Sequence, residues 1–366
     1  MSALRARAES FGAWVRVEDG TLLAVDHALA ARLGVTGAPV GDGVPLEVHV
    51  AVTSRCPVAC EGCYQSASPE GAHVDRSALE ETLRALAGEG VFTVAFGGGE
   101  PLLREDLGAL ATFARGLGLT PVVTTSGIGM TPSRAATLRD FAQVNVSHDG
   151  AGEGYEAVRG FDGARAAERA VATLRAAGVA VGVNLVVTRQ NVHLIRETVA
   201  RVRALGAREV QLLRYKPAGR AASLDYLARR LTPEQVAELG ETVRALAACC
   251  DDGFSVRIDC ALVPLLSDAL GDAETLARFG VFGCEAGRHL GAVRGDGTRA
   301  GCSFVTWGAG EVERFRAYAS DPPAPCRDCA LRAVCRGGCK VVSMHVDGDF
   351  TPDPECPRVR RHAGAS

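Results

Sequence analysis

Three cysteines lie together in one short stretch of the chain, Thr53-Ser54-Arg55-Cys56-Pro57-Val58-Ala59-Cys60-Glu61-Gly62-Cys63-Tyr64. The stretch follows Leu46–Thr53, whose apolar pattern predicts a buried β-strand. Three thiolates on one tight loop can hold three corners of a 4Fe–4S cube and leave the fourth iron without a protein ligand. The alternative is a zinc site, which ordinarily needs a fourth ligand, such as His73, to complete its shell.

Strand-like and helix-like segments alternate from about residue 46 to residue 220. This alternation predicts an α/β fold, with a parallel sheet whose strands are joined by right-handed helical crossovers. The predicted strands are Leu46–Thr53, Phe92–Phe96, Pro121–Thr125, Val144–Ser147, Val179–Val187 and Glu209–Arg214. The predicted helices are Asp75–Ala87, Arg104–Leu117, Pro132–Phe141, Ala164–Ala177 and Val192–Leu205.

The rest of the chain divides into three further regions. Residues 1–45 form a short N-terminal extension with a candidate β-hairpin that turns at Glu18-Asp19-Gly20. Residues 221–280 form a helical bridge, in which Thr232 caps a helix that begins with proline. Over residues 281–366, glycine, proline and cysteine dominate and the periodicity fades. A segment of this kind needs metal to hold it together.

The composition excludes several classes of protein. The chain has 366 residues, 47% of them hydrophobic, and a formal charge of −3. It therefore has material for a core but no basic field for nucleic acid. No apolar run reaches the ~18 residues that cross a bilayer, and no secretion signal precedes the first strand, so we expect a cytoplasmic protein without a membrane partner. Thirteen cysteines in that reducing compartment favour metal or cluster ligation over disulfides.

The cysteine loop resembles that of the radical S-adenosylmethionine (SAM) superfamily. In that family the same C-x3-C-x2-C spacing ligates a cluster whose open iron binds the amino and carboxylate groups of SAM, and an aromatic residue usually follows. The resemblance implies that Cys56, Cys60 and Cys63 ligate a catalytic 4Fe–4S cluster and that Tyr64 lies beside SAM. It also implies that the predicted α/β region, residues 46–220, is a partial (β/α)6 barrel.

A glycine-rich element at the end of the second strand extends the resemblance. Gly97-Gly98-Gly99-Glu100-Pro101 resembles the family motif whose backbone approaches the methionine part of SAM, because glycines carry no side chains. The resemblance makes Gly98, Gly99, Glu100 and Pro101 SAM-binding residues, with the Glu100 carboxylate on the SAM amino group. Considered alone, such a run is more often a flexible turn.

Two later strand ends also match the family. The segment 144–150 resembles the fourth-strand motif, in which the residues equivalent to Ser147 and Asp149 lie beside SAM. Without the resemblance, the same residues would be a solvated strand end and a plain turn. Asn184 on the fifth strand resembles the region that packs around adenosine, and segment 213–220 resembles the sixth-strand region of the subgroup described next.

Seven further cysteines match the signature of the SPASM domain, which is named for its subtilosin, pyrroloquinoline quinone, anaerobic sulfatase and mycofactocin maturases. They read Cys284-x12-Gly297-x4-Cys302, then Cys326-x2-Cys329-x5-Cys335-x3-Cys339, then x16-Cys356. The resemblance implies two auxiliary 4Fe–4S clusters, and thus three clusters in all. One is held by Cys326, Cys329, Cys335 and Cys356, and the other by Cys284, Cys302 and Cys339. Zinc in place of the auxiliary clusters is the alternative.

The second auxiliary set lacks one ligand. Members of the subgroup often carry another cysteine shortly before the position of Cys284, and residues 261–283 contain none. Cys249, Cys250 and Cys260 lie further upstream, where the favoured interpretation is that each is a small buried apolar residue. The sequence therefore predicts that this cluster lacks a nearby fourth cysteine, and that its remaining iron is either open to a substrate or closed by a non-cysteine or distant ligand.

The resemblance implies an oxidoreductase. Such an enzyme cleaves SAM reductively, and the resulting 5′-deoxyadenosyl radical takes a hydrogen atom from the substrate. Ribosomally made peptides are the commonest substrates in this subgroup, so we expect peptide maturation, such as oxidative cross-linking. An electron donor such as flavodoxin or ferredoxin is implied. The sequence identifies no catalytic side chain.

Other functions stay open at this stage. Sulfatase maturases have an aspartate directly after the second cysteine of the module, whereas this chain has Ser303 after Cys302. Several peptide maturases begin with a leader-binding domain for which 45 residues are too few. This implies a separate leader-recognition protein, recognition by the barrel itself, or a small-molecule substrate such as a tetrapyrrole. A multi-cluster electron carrier is an alternative of another class, but it has no need of the motifs at 97–100 and 147–149.

Overall fold

The computed structural model describes residues 5–17, 20–41, 43–305 and 310–365. Its strands are β1 (Arg5–Glu9), β2 (Gly12–Arg16), β3 (Leu22–Asp26), β4 (Glu47–Thr53), β5 (Thr93–Gly98), β6 (Thr120–Thr125), β7 (Gln143–Ser147), β8 (Val181–Val187), β9 (Glu209–Arg214), β10 (Ser255–Ile258), β11 (Leu290–Val293) and β12 (Arg299–Ala300). Its α-helices are α1 (His27–Arg32), α2 (Arg76–Glu89), α3 (Leu107–Gly116), α4 (Pro132–Ala136), α5 (Gly154–Arg159), α6 (Ala164–Ala176), α7 (Ile195–Ala204), α8 (Tyr226–Arg229), α9 (Pro233–Ala247), α10 (Ala273–Arg278), α11 (Glu311–Ser320), α12 (Arg332–Cys335), α13 (Lys340–Asp347) and α14 (Pro357–Ala365).

A nine-stranded sheet forms the centre of the described chain, in the order β10-β9-β8-β7-β6-β5-β4-β11-β12. Neighbours from β10 to β11 are parallel, and β12 alone in this sheet runs antiparallel to its neighbour. Parallel neighbours cannot be joined by a hairpin, so helices cross between the successive strands β4 to β9. The predicted α/β fold class is confirmed, and all six predicted strands form.

The two faces of this sheet have different surroundings. On one face, buried strand residues such as Val94 and Val183 pack with helix residues such as Leu83 and Leu174 in one hydrophobic core. On the other face, alternate residues are only partly buried, and many of them are polar. These include His49, Thr124, Asn145, Asn184 and Gln211. This second face can therefore line a polar site at the carboxyl ends of the strands, where ligands bind in such folds.

A small antiparallel sheet, β1-β2-β3, precedes the main one. The pairing of β2 with β3 agrees with the predicted N-terminal hairpin, although Glu18 and Asp19 of its turn lie outside the described residues. Arginine side chains of the small sheet donate hydrogen bonds to the main domain. Nη1 of Arg5 and Nη1 of Arg16 each donate to the carbonyl oxygen of Gly118 at 2.9 Å.

Three short strands of the nine-stranded sheet come from residues after 220, beyond the range that the sequence assigned to the barrel. β10 comes from the predicted helical bridge and pairs with β9. β11 and β12 come from the cysteine-rich region, and β11 pairs with β4. These segments are too short to show a clear alternation in the sequence. Both edges of the sheet are therefore made by residues that follow the six βα units.

The helices agree with prediction in position more than in length. Thr232 caps α9 in a capping box with Gln235, as its sequence predicts. The helix predicted at Pro132–Phe141 ends at Ala136, and the chain continues in turns. Helix α5 was not predicted. None of the helices in the described ranges is long and apolar enough to cross a membrane.

Candidate functional site

The cysteine triad lies on the loop between β4 and α2, at the carboxyl end of the first barrel strand. The loop is folded back on itself, since the backbone nitrogen of Cys56 donates to the carbonyl oxygen of Ser68 at 2.8 Å. The thiols of Cys56, Cys60 and Cys63 are close enough to influence one another electrostatically. All three cysteines are partly exposed. The loop thus presents three thiols together at the edge of the sheet.

His73 does not complete a zinc shell with this triad. Its Nδ1 is hydrogen-bonded to Oγ1 of Thr53 at 2.8 Å. Within the described ranges, no group of three or more Cys, His, Asp or Glu side chains converges closely enough to hold a single metal ion. Three cysteine thiols without a fourth side-chain ligand suit an iron–sulfur cube, whose fourth iron stays open, better than a four-coordinate zinc ion. The cysteines therefore fit a cluster.

The glycine-rich element packs directly against the cysteine loop. A Cβ atom on Gly98 would lie 2.2 Å from the carbonyl oxygen of Thr53, and one on Gly99 would lie 2.2 Å from that of Arg55. The backbone nitrogen of Gly99 donates to Thr53 at 2.7 Å. Only glycine allows this approach, and Gly98 also has φ +112°. At these two positions the lack of a side chain lets the backbone of the cysteine loop pack closely. A Cβ on Gly97 would have its nearest contact at 4.0 Å, so this packing does not require a glycine there.

The Glu100 carboxylate is buried and accepts four hydrogen bonds from the protein. Its Oε1 accepts from the Leu102 nitrogen at 3.0 Å and from Thr125 Oγ1 at 2.6 Å. Its Oε2 accepts from the nitrogen and the hydroxyl of Ser126, at 2.8 and 2.6 Å. A carboxylate has about four acceptor positions, so all of them are in use. Glu100 ties the end of β5 to the end of β6, and Pro101 begins a 3-10 turn directly after it.

Ser147 and Asn184 are paired in register on β7 and β8. The Asn184 amide nitrogen approaches Thr124 Oγ1 at 3.4 Å. Its Oδ1 is buried and has no hydrogen-bond partner among the residues that the structure describes. A buried acceptor without a partner is costly unless a ligand or water donates to it. Asn184 therefore marks a place on the polar face where a ligand donor fits.

Asp149 connects the strand ends to the cysteine loop through Arg159. Its Oδ1 accepts from the Val186 nitrogen at 2.7 Å, and its Oδ2 accepts from Arg159 Nε. Nη1 of Arg159 lies 4.0 Å from the Cys60 sulfur. Burial raises the pKa of Cys60, and Arg159 opposes that shift. The structure thus places the Arg159 guanidinium between Asp149 and the cysteine loop.

The segment after β9 is hydrogen-bonded to the backbone of the cysteine loop. The Arg220 guanidinium donates to the carbonyl oxygens of Cys60, at 2.8 and 3.0 Å, and Ala67, at 2.7 Å. The Arg220 nitrogen donates to the Cys63 carbonyl oxygen at 3.0 Å. Gly219, at φ +57°, lies where a Cβ would be 2.4 Å from the Tyr64 carbonyl oxygen. Residues 213–220, which matched a family segment, therefore hold the loop in shape.

Four cysteines of the C-terminal region line one pocket. They are Cys326, Cys329, Cys335 and Cys356. Burial raises the pKa of Cys326 to about 11 and also raises that of Cys335. Buried thiols of this kind stay protonated until a metal replaces the proton. The grouping matches the set that the sequence assigned to one auxiliary cluster.

The other three cysteines of the module lie in a second place. Cys339 belongs to a hydrophobic cluster against which Cys284 and Cys302 pack. Burial raises the pKa of Cys284 to about 11 and that of Cys302 to about 12. The nearby Cys339 thiol contributes to the rise of both pKa values. The division of the seven cysteines into four and three thus agrees with the crossed arrangement implied by the resemblance.

A buried ion-pair network joins β9 to the C-terminal module. Arg214 and Asp353 have side chains only 4% and 1% exposed, and Arg214 Nη1 lies 2.6 Å from Asp353 Oδ2. Arg214 Nη2 lies 2.8 Å from Glu355 Oε2. The same Asp353 oxygen accepts from the Cys339 nitrogen at 3.0 Å. Burial opposes ionisation of Asp353, but Arg214 more than compensates and holds its pKa below the usual range.

The two cysteine regions meet on the polar face of the sheet. The rings of Tyr64 and Phe304 stack with centroids 4.3 Å apart. The hydroxyl of Ser303, which follows Cys302, is hydrogen-bonded to His49 Nδ1 at 2.9 Å. Nε2 of His49 is in turn 3.0 Å from a carboxylate oxygen of Glu47. A chain of polar groups on β4 therefore reaches the segment that carries Cys302.

One expectation about the unassigned cysteines is wrong. Cys249 and Cys250 are exposed at the end of α9, although the sequence favoured buried apolar positions. The Cys250 sulfur accepts from the Val256 nitrogen at 3.3 Å, near the beginning of β10. Their apolar neighbours in sequence, such as Ala247 and Ala248, made the helix end look more buried than it is. Cys260, by contrast, is partly buried beyond the other end of β10.

Comparison with known proteins agrees with this geometry. Residues 50–202 match the Radical SAM superfamily. The PqqA peptide cyclase of Xanthomonas campestris pv. campestris (strain 8004) is 28% identical over 340 residues, which cover 87% of this chain and 89% of the relative. The mycofactocin maturase MftC of Mycolicibacterium smegmatis is 29% identical over 343 residues, with coverages of 86% and 83%. The predicted resemblance to the radical SAM superfamily is confirmed.

A solved structure supports the same fold. Streptococcus suis SuiB bound to the precursor peptide SuiA aligns with a TM-score of 0.72 and 15% identity. The alignment covers 96% of this chain and 98% of that one. The likeness therefore extends over both the sheet and the cysteine-rich region.

Proposed function

We propose that this chain is a radical SAM enzyme that removes hydrogen atoms from a ribosomally made peptide and so forms a cross-link or a related modification. The observation that carries the proposal is the Tyr64–Phe304 stack, which joins the triad loop to the segment that carries Cys302. A substrate on the polar face beside this stack would reach both cysteine regions. The names of the similar proteins, a peptide cyclase, a maturase and a structure with a precursor peptide, support a peptide as the substrate.

In this proposal, Cys56, Cys60 and Cys63 hold the 4Fe–4S cluster at which SAM binds. When loaded, that cluster supplies the electron that cleaves SAM into methionine and the 5′-deoxyadenosyl radical that takes the substrate hydrogen atom. Arg159 orients its positive charge toward Cys60 and offsets the charge of the thiolates. Arg220 fixes the shape of the loop that carries the three thiolates.

The residues assigned to SAM fall into two groups in this proposal. Tyr64, Ser147 and Asn184 face the ligand directly, and the unpartnered Asn184 Oδ1 accepts a hydrogen bond from SAM. The others position the loops around it, because their side chains or backbones are already committed to protein contacts. These are Gly98, Gly99, Glu100, Pro101 and Asp149.

Two auxiliary 4Fe–4S clusters complete the proposed cofactors. Cys326, Cys329, Cys335 and Cys356 hold one, which the pocket they share supports. Cys284, Cys302 and Cys339 hold the other, beside the polar face. A cluster there can accept the second electron when the substrate radical is oxidised, which gives net loss of two hydrogen atoms.

Oxidation of the substrate also releases a proton, and His49 is our candidate acceptor. It lies on the polar face and is hydrogen-bonded to Ser303, which stands where sulfatase maturases carry their catalytic aspartate. Burial raises the pKa of Glu47, but its contact with His49 lowers it overall, so Glu47 is ionised at neutral pH. An ionised carboxylate stabilises the imidazolium that forms when His49 takes the proton.

The proposal includes partners and a compartment. A flavodoxin or a ferredoxin would reduce the SAM cluster, and a separate leader-recognition protein would present the peptide. Both belong to the cytoplasm, where the thirteen cysteines stay reduced until iron binds them.

The test is a single-turnover assay with an isotopically labelled peptide. A candidate precursor peptide, chosen from the small open reading frames of the same genome, is synthesised with deuterium on its side-chain carbons and mixed anaerobically with the iron-loaded enzyme, SAM and reductant. We expect deuterium in the 5′-deoxyadenosine and a peptide mass lower by two hydrogen isotopes. The control is the variant in which Cys56, Cys60 and Cys63 are all alanine, which should give neither.

The same assay separates the alternatives. An unchanged peptide together with modification of an added tetrapyrrole would replace the peptide by a small molecule. A fully iron-loaded chain that forms no 5′-deoxyadenosine would favour the electron carrier instead.

A further inference from the structure

We propose that Cys260 is the fourth cysteine ligand of the auxiliary cluster held by Cys284, Cys302 and Cys339. The inference rests on the proposed function, because it presupposes an iron–sulfur cluster at this place. The sequence leaves two alternatives, an iron that is open to a substrate and an iron that is closed by a non-cysteine or distant ligand, and Cys260 is that distant ligand. In the ligated state the Cys260 thiol loses its proton and forms one iron–sulfur bond.

Cys260 follows strand β10 and therefore lies at the carboxyl end of the sheet. Ile258 pairs with Leu212 of the parallel strand β9, and the Asp259 nitrogen donates to the Leu212 carbonyl oxygen at 2.9 Å. The chain therefore leaves β10 at the edge where β9 ends in Arg214. That is the edge at which the other candidate cysteine sites lie. The sequence distance of 24 positions between Cys260 and Cys284 does not separate them in space.

The residues on both sides of Cys260 are fixed by buried polar contacts. Asp259 forms an ion pair with Lys216, and both side chains are buried. The carbonyl oxygen of Ala261 accepts from Arg214 Nη1 at 3.2 Å. The Arg214 guanidinium also binds Asp353, whose Oδ2 accepts from the Cys339 nitrogen. A continuous set of hydrogen bonds thus runs from the neighbour of Cys260 to Cys339.

Packing brings the same cysteines together. Ala261 lies in the hydrophobic cluster that contains Cys339 and against which Cys284 and Cys302 pack. The Cys260 thiol interacts electrostatically with the thiols of Cys284 and Cys339. The four cysteines therefore surround one region of the interior.

Lys216 supplies the positive charge that such a cluster needs. Its ammonium lies 4.5 Å from the centroid of the Phe304 ring, two residues beyond Cys302. It interacts with the thiols of Cys260 and Cys339. Burial works against the charged form of Lys216, but Asp259 more than offsets this, so the pKa of Lys216 lies above its usual value. A buried cation beside several thiols favours the thiolates that bind iron.

The competing interpretation is that Cys260 only fills space in the interior. Cys249 and Cys250 give matched controls, because they are exposed and lie before β10 rather than after it. A space-filling cysteine can become alanine or serine without changing any cluster. A ligand cannot.

The experiment uses full-length protein in which Cys56, Cys60 and Cys63 are alanine, so that only auxiliary clusters form and no SAM-binding iron is open. This parent is reconstituted anaerobically and compared with Cys260→Ala, Cys260→Ser and Cys250→Ala in the same background. Iron, sulfide and zinc are measured for each. Each protein is then treated briefly with ferricyanide, which removes an iron that lacks a cysteine ligand and leaves a paramagnetic 3Fe–4S cluster.

The parent should hold about eight irons per chain, as two 4Fe–4S clusters require, and should give no 3Fe–4S signal. The Cys260 variants should either lose about half of that iron or give the signal at about one per chain. Cys250→Ala should match the parent. A 3Fe–4S signal from the parent, or Cys260 variants that match the parent, would overturn the proposal. A parent without iron, or with stoichiometric zinc, would instead refute the auxiliary clusters of the proposed function.

Alkylation of the unsubstituted chain gives a readout that needs no variant. In the iron-loaded protein Cys260 should resist iodoacetamide, while Cys249 and Cys250 react. After iron is removed with a chelator under denaturing conditions, all three should react, as mapped by mass spectrometry. Labelling of Cys260 in fully loaded protein would overturn its assignment as a ligand.

Discussion

Replacing Glu100 with glutamine should destabilise the protein at least as much as it weakens SAM binding. The carboxylate accepts four hydrogen bonds, from Leu102, from Thr125 and twice from Ser126. Glutamine keeps one acceptor oxygen but turns an NH2 group toward donors. In the orientation that preserves the bonds from Leu102 and Thr125, this amide meets the backbone N–H of Ser126, which cannot become an acceptor.

The magnitude follows from the bonds that are lost. A hydrogen bond to a charged group contributes about 1.5–3 kcal/mol, and one or two of the four are lost outright. We therefore expect the apparent free energy of unfolding to fall by about 2–4 kcal/mol. The SAM dissociation constant, measured on the folded and iron-loaded fraction, should rise by less than about tenfold, because the positioned loop is disturbed while no direct contact is lost.

Urea denaturation followed by circular dichroism gives the stability, and calorimetric titration gives the SAM affinity. Glu105→Gln is the control, because Glu105 is exposed in the same loop and should change neither quantity. If Glu100→Gln unfolds at the urea concentration of the unsubstituted protein while SAM binding falls more than tenfold, the positioning role is refuted. Glu100 would then act directly on SAM, as the sequence resemblance implied.

Three further substitutions test other parts of the site. Arg214→Met leaves Asp353 buried without its partner and should cost about 3–5 kcal/mol of stability in thermal or chemical unfolding, whereas Arg361→Met in an exposed pair should change little. His49→Gln should leave 5′-deoxyadenosine formation intact but reduce peptide product by on the order of a hundredfold, and equal losses of both would contradict its role as proton acceptor. Phe304→Leu should lower the ratio of peptide product to 5′-deoxyadenosine, whereas Phe279→Leu, at a position that is 77% exposed, should not. Equal ratios in the two variants would show that the Tyr64–Phe304 stack does not couple SAM cleavage to peptide modification.

The sequence predicts the central strands of this fold well, because each strand has a local hydrophobic pattern of its own. Each of the six predicted strands forms within a few residues of its predicted bounds, since β-branched runs between turns carry the signal. β10, with the short sequence Ser255–Ile258, carries too little alternation to be recognised. Because β10 is not predicted from the sequence, the position of Cys260 is not predicted either. The strand pairs with β9 and so places Cys260 beside the end of β9, although the two are distant along the sequence.

Side-chain roles are less predictable than side-chain chemistry. The sequence marks Glu100 as a carboxylate near a cofactor, but its partners Thr125 and Ser126 lie about 25 residues away and only the fold brings them close. The same holds for Arg159, which acts through Asp149 and Cys60. The spacing of cysteines predicts sites, because ligands on one loop are local. Partners contributed by other strands must be seen in three dimensions.

The most direct test of the central claim is reductant-dependent formation of 5′-deoxyadenosine by the iron-loaded chain, compared with the variant in which Cys56, Cys60 and Cys63 are all alanine. Iron analysis establishes beforehand that the variant keeps its C-terminal clusters. We expect the unsubstituted protein to form 5′-deoxyadenosine from SAM and the variant to form none. Equal formation by both proteins would show that SAM is not cleaved at this loop.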